Sequence, residues 1–188
     1  LREGYRLELE AQILQGDGAG ENFTGLLNTS GIQVQLFDTD LLTTARKAIT
    51  LLELASIAPG SYVLHPQDWE AFELVTETTG AYLLKDGTNV VPIDRAKRRL
   101  WGYPVALSLG QPQGVGLLVD WAGSTQGWER ERVRVDWSEA FHVAPTEYDE
   151  DESTGFQKNL VQFRCEGRAG FACKRPRGVV EIDLSEGS

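Results

Sequence analysis

The sequence predicts an α+β fold in which helices and a buried sheet come first and a long, half-buried strand follows near the end. Three observations carry this expectation. Apolar residues repeat at helical spacing over residues 1–15 and 40–55. Short apolar runs alternate with helical segments between residues 61 and 107. From Val161 onward every second residue is small or apolar, through Phe163, Cys165, Gly167, Ala169, Phe171 and Cys173.

In the first helix Leu7, Ala11 and Leu14 recur on one face, joined by Leu9 and Ile13. Gly16, Gly18 and Gly20 end it in the loop QGDGAGENFTG. A short strand is expected around Ile32–Leu36. Asp38 to Asp40 then cap a second helix, whose apolar face is Leu41, Ala45, Ala48, Ile49, Leu52 and Ala55. Tyr62–Leu64 reads as a strand, and Pro66 suits the first position of the next helix. Trp69 and Phe72 lie one turn apart there and read as core anchors. Further strands are expected at Tyr82–Leu84, Leu100–Leu107, Gly114–Trp121 and Glu131–Trp137.

The last two strand regions share one pattern. Arg132, Arg134 and Asp136 alternate with Val133, Val135 and Trp137, which predicts one wet face and one dry. The same period places Val161, Phe163, Cys165, Ala169 and Phe171 on one buried face, with Gln162, Arg164, Glu166 and Arg168 opposite. A bend is expected at Gly167 or Gly170. Pro176 ends this element, and Val179–Leu184 supplies a final strand.

Composition narrows the function. The chain has 188 residues, 41% of them hydrophobic and 24% charged, enough apolar material for a packed core. Its 28 acidic and 18 basic side chains give a formal charge of −10, which disfavours sequence-independent nucleic-acid binding. No apolar run approaches the roughly 20 residues of a bilayer span. Cys165 and Cys173 stand eight apart in a strand, up to roughly 26 Å when extended, and are expected to be reduced and unpaired. Methionine is absent and the first helix has no cap before it, so a longer natural chain is expected.

Candidate chemistry is sparse. The glycine-rich loop follows a helix, not a strand, and lacks a Gly-Lys-Ser/Thr, so a helix stop fits better than a phosphate cradle. His65 precedes Pro66, where capping is the expected role, and His142 lies near a strand end. Neither has a neighbour at zinc-ligand spacing, and no cofactor or metal site is expected. Ser30, Ser108 and Ser138 lack a nucleophile elbow. A hydrolase would need a pocket gathering a histidine with a serine and a carboxylate. Opposite charge concentrates in two segments, the basic Arg95–Arg99 and the acidic Glu147–Glu152, which are expected either to meet between copies or to remain solvated.

Four segments, in order, resemble the tailed-phage major capsid family with the Hong Kong 97 fold. They are ILQGDGAGENFTGLLNTSGI (13–32), SYVLHPQDWEAFELV (61–75), LWGYPVALS (100–108) and FQKNLVQFRCEGRAGFACKRPRGVVEIDL (156–184). The resemblance implies the C-terminal portion of such a subunit. Residues 1–19 would end the long helix of a peripheral domain, residues 20–145 would form an axial domain, and residues 146–188 would hold the acidic loop and the peripheral strands. It further implies a structural, non-enzymatic protein that assembles with itself as hexamers and pentamers into an icosahedral head. Scaffold, protease and portal would be its assembly partners, the virion its location and the host cytoplasm its place of assembly. No specific nucleic acid, membrane or cofactor is implied.

In some members of the family an Asn before the last long strand joins a neighbour's Lys, aided by a Glu seven residues later. Asn159 and Glu166 match those positions. Seven extended residues span roughly 23 Å, so the two would have to act across different subunits. A bacterial nanocompartment shell shares this fold and is the alternative within the resemblance. A small hydrolase is the alternative outside it.

Overall fold

The computed structural model describes residues 1–75, 98–139, 142–143, 153–154 and 159–185. The expected strand at Tyr82–Leu84, most of the basic segment and the whole acidic segment lie outside those residues. Four helices, α1 (Arg2–Gln15), α2 (Leu41–Leu54), α3 (Pro66–Glu73) and the single turn α4 (Trp121–Ser124), are described. The strands are β1 (Gln33–Gln35), β2 (Ser61–Leu64), β3 (Arg99–Leu100), β4 (Tyr103–Leu107), β5 (Val115–Val119), β6 (Thr125–Ser138), β7 (His142–Val143), β8 (Ser153–Thr154), β9 (Gln162–Cys173) and β10 (Val179–Asp183). They fall into two compact units, Leu7–Gly127 with Phe171–Ser188, and Leu1–Arg6 with Trp128–Gly170.

The first unit is built on a six-stranded sheet of order β1-β10-β5-β2-β4-β3. Its central strand β5, Val-Gly-Leu-Leu-Val, is apolar throughout because both sheet faces are covered. Register divides its side chains between two cores. Leu118 lies level with Tyr62 on β2 and Val180 on β10, and this row packs with Ala45, Ala48, Ile49 and Leu52 of α2 and with Trp69 and Phe72 of α3. On the other face Leu117, Val119, Val63 and Val179 pack with Leu14 of α1 and with Leu26.

Helix ends follow the sequence signals. Asp40 caps α2, accepting the Thr43 N–H at 2.7 Å, and His65 Nδ1 caps α3 by accepting the Gln67 N–H at 3.2 Å, with Pro66 just inside. Trp69 and Phe72 are buried against each other, ring centroids 6.4 Å apart, as the helical spacing predicts. Two polar groups are buried with partners. The Tyr62 hydroxyl donates to the Ala45 carbonyl at 2.8 Å, and burial pushes the phenol's pKa well above its ordinary value. Both carboxylate oxygens of Asp68 accept the Gly114 N–H, at 3.0 and 3.1 Å, which ties α3 to the turn before β5.

Several expectations need correction. Leu100–Leu107 is a hairpin instead of one strand. Trp101 (φ +53°) and Gly102 (φ +86°) form a two-residue turn, and β3 folds back on β4 with Leu100 opposite Tyr103. The Trp101 indole N–H donates to the Leu42 carbonyl at 3.1 Å. Leu7, placed on the apolar face of α1 by its spacing, is exposed, and in that helix Leu14 is the buried residue. The expected strand at Glu131–Trp137 is longer, running over Thr125–Ser138 as β6.

The largest correction concerns the strand that follows Val161. β9 is extended over Gln162–Cys173, as period two requires, and Cys165 and Cys173 are free on it. Its apolar face is not uniformly buried, however. Val161 and Phe163 are exposed, whereas Cys165, Ala169 and Phe171 are half-buried. Val135 and Trp137 on β6 are exposed as well. Alternation fixes which side chains share a face; whether anything covers that face is a tertiary property.

Two tests follow from this packing. Trp69→Ala should destabilise the chain by about 3–5 kcal/mol through the cavity it leaves, measured by thermal or denaturant unfolding. An unchanged midpoint would refute the core assignment. Asp68 tests the buried carboxylate. Burial raises its pKa, opposed by the Gly114 N–H and by His65, so the folded chain holds this proton more tightly than the unfolded one. The stability Asp68 contributes is therefore complete below its unfolded value of 3.8 and is lost as pH rises through the folded value. Asp68→Asn keeps an acceptor for Gly114 and removes the titration. Its melting temperature relative to the parent should rise as pH increases above 3.8. A difference independent of pH would show that Asp68 ionises freely.

Candidate functional site: a two-faced ribbon

The features that could have signalled a small-molecule site are structural in this chain. The glycine-rich loop closes on itself. Gly18 N–H donates to Phe23 O at 2.8 Å, and Ala19 N–H and Asn22 Nδ2 both donate to Asp17 Oδ1 at 2.9 Å. These bonds hold the Asp17 carboxyl below its ordinary pKa, with the Ala19 N–H the largest cause. The same loop satisfies the end of α1. Leu26 and Leu27 N–H donate to the carbonyls of Ile13 and Leu14 at 2.9 and 3.0 Å, and Asn28 Nδ2 donates to Gln15 O at 2.8 Å. A Cβ on Gly25 would fall 2.5 Å from Gly16 N, so the approach requires glycine. N–H groups committed in this way cannot cradle a phosphate.

Other chemical candidates are likewise engaged or dispersed. His65 is a helix cap. The Ser108 hydroxyl is buried and accepts the Gly110 N–H at 3.0 Å, while Ser30 is exposed. His142 belongs to β7, which pairs with β8, and its side chain is outside the described set. Among the described residues no three His, Cys, Asp or Glu side chains gather as a metal site. No described helix is long and apolar enough to cross a membrane.

The second unit holds the more informative arrangement. β6 and β9 form a two-stranded ribbon. Arg164 meets Asp136 at 3.4 Å, Arg134 meets Glu166 at 3.3 Å, and Arg168 meets Glu131 at 3.5 Å. Residue numbers rise on one strand as they fall on the other, so the strands run antiparallel. Arg134 also reaches Asp136 at 3.3 Å and Glu131 at 3.6 Å, and Arg164 reaches Glu166 at 3.3 Å. Six charges thus form one network along the wet side. Its acidic members, Glu166 first, raise the Arg134 pKa. Exposed pairs add little stability; the network's main effect is to penalise a slipped register.

The opposite side carries Val133, Val135, Trp137, Phe163, Cys165 and Gly167. A Cβ on Gly167 would lie 3.2 Å from Val133 Cγ2 and 2.7 Å from the Tyr5 hydroxyl, which places those groups over one face. Further along, Trp128 lies across Gly170, where a Cβ would come within 2.2 Å of the indole.

Both residues that the resemblance singles out belong to this unit. Asn159 occupies an exposed turn before β9, with φ at +52°. Glu166 is part-exposed within β9 and is engaged by Arg134 and Arg164. The two arginines were not singled out in the sequence. The alternation of charges was visible in each strand, but the pairing register that joins them was not.

The family model described as the phage capsid family matches residues 1–184. The major capsid protein of Enterobacteria phage HK97 is 26% identical over 195 aligned residues, covering 100% of this chain and 46% of that protein. This chain therefore spans about half the length of that relative. Among solved structures, one of Mycobacterium phage Cain superposes with a TM-score of 0.71 at 12% identity, over 98% of this chain and 63% of that one. One of Gordonia phage Cozz gives 0.70 at 13% identity, over 99% and 61%. The capsid of a native GTA particle gives 0.65 at 17% identity, over 98% and 63%. These likenesses establish the fold as Hong Kong 97-like. With its family model matched from residue 1 to residue 184, the chain belongs to the phage capsid family.

Proposed function

We propose that this chain is the shell-forming part of a major capsid protein, a structural subunit that tiles the icosahedral head of a tailed phage or prophage. The observation that carries the reading is the family match across residues 1–184 together with the capsid fold. The sheet unit suits a rigid tile, being buried on both faces, and its chemical groups serve as caps and ties. In this reading residues 20–145 act as the axial domain, and residues 1–19 and 146–188 as the peripheral one. The compact units change over elsewhere, at Arg6, Gly127 and Gly170. The subunit assembles with itself as hexamers and pentamers in the host cytoplasm and resides in the virion, with scaffold, protease and portal as assembly partners. The work is done by large apolar interfaces.

Asn159 and Glu166 support a second, separable proposal. A lysine amine from a neighbouring subunit would attack the Asn159 carboxamide carbon, forming an amide bond and expelling ammonia. Glu166 of a different copy would take the amine's proton. The exposed turn leaves Asn159 accessible, and the Arg134 and Arg164 contacts hold the Glu166 carboxylate in place on β9.

Electron microscopy of the full-length protein expressed alone tests the first proposal. Uniform closed shells are expected, and a uniformly monomeric product would overturn it. Denaturing electrophoresis and mass spectrometry of assembled shells test the second. Covalent multimers, with one ammonia lost per link and abolished by Asn159→Ala, are expected; complete dissociation to single chains would exclude the crosslink.

A further inference from the structure

We infer, resting on the crosslink reading above, that Arg134 is a positioning residue: with Arg164 it holds one oxygen of Glu166 so that the other faces the incoming lysine amine. Arg134 Nη2 meets Glu166 Oε2 at 3.3 Å, and Arg164 Nη2 meets the same oxygen at 3.3 Å. Oε1 takes part in neither contact. Arg134 is itself fixed from two further sides, with Asp136 Oδ2 at 3.3 Å from Nε and Glu131 Oε1 at 3.6 Å from Nη1. Its planar fork spreads donors over three nitrogens, so one guanidinium meets three carboxylates in set directions. A lysine ammonium, a point charge on a flexible stem, would leave those directions unset.

Placement matters because a base must stand within hydrogen-bond reach of the proton it takes. A glutamate on an exposed strand otherwise samples several rotamers, and ordering it at the moment of reaction would slow the step. Here the ordering is done in advance. The Glu166 side chain is 29% exposed, against 51% for Arg134 and 65% for Arg164, so the carboxylate stays reachable between its two holders. The surrounding charges also balance. Arg134, Arg164 and Arg168 stand against Glu131, Asp136 and Glu166, and a neutral field neither repels nor traps an approaching amine. In the step itself the amine nitrogen bonds to the Asn159 carboxamide carbon while its surplus proton passes to Glu166 Oε1. The carbon–nitrogen bond of the carboxamide then breaks, and Oε1 returns the proton to the departing group, which leaves as ammonia. Nothing is oxidised or reduced, and Glu166 ends as it began.

Shells assembled from the full-length protein test this, with covalent multimers followed over time by denaturing electrophoresis. Arg134→Gln should assemble normally yet form links at least about tenfold more slowly than the parent. Arg134→Lys keeps a cation beside Glu166 and should recover part of that rate. Arg168→Gln breaks the Arg168–Glu131 pair without touching Glu166, so its links should form at the parent rate. That control separates positioning from a general loosening of the ribbon. Links at the parent rate in Arg134→Gln, or equal slowing by Arg168→Gln, would overturn the inference and leave the crosslink reading intact. A parent that forms no links overturns both. Should Arg134→Gln build no shells, Arg164→Gln removes the other holder of Oε2 and must slow the links as well.

Discussion

Burial of both faces of β5 is the constraint from which the sheet unit follows. A strand reading Val-Gly-Leu-Leu-Val has no polar side chain to offer solvent, so it must sit centrally with layers above and below. β10 and β2 satisfy its two edges. One face then collects α2 and α3, and the other collects α1 and the segment around Leu26. The polar groups near this core serve as connections, with Tyr62 fixed to α2 and Asp68 fixed to the turn at Gly114. Such a layered body resists deformation because its side chains interlock on both sides.

The ribbon unit obeys a different physics. With one apolar face and one charged face it has a hydrophobic payload but little of its own to bury it against. Ion pairs hold register there without supplying much stability, since they stay wet and are screened by salt. Stability has to come from covering the dry face. Within the chain Tyr5 supplies part of that cover, over Val133 and Gly167.

The absence of a convergent catalytic constellation among the described residues has a structural cause. Groups that chemistry would need are spent on backbone. Asp17, Asp40, Asp120 and His65 all accept N–H groups at turns or helix starts. Asn28 satisfies the last carbonyls of α1. Each orphan backbone group satisfied by a side chain in this way removes a route to local fraying.

How far the sequence determined this protein depends on whether a property is local. Period two over Val161–Cys173 requires an extended strand, and helical spacing over residues 40–55 requires an amphipathic helix; both signals arise from backbone geometry within a few residues. Capping by Asp40 and His65, and the helix stop at Gly16, were legible for the same reason. Four ordered segments also sufficed to indicate the family. The hairpin at Trp101-Gly102 was missed because its turn places tryptophan, a residue that rarely adopts positive φ, at the first central position. The clamp on Glu166 was missed because it joins strands about thirty residues apart, and only their register decides which charges meet. Exposure of Trp137 and Phe163 was decided by tertiary structure alone. Alternation sorts side chains between two faces, but only the position of neighbouring elements determines whether a face meets protein or water.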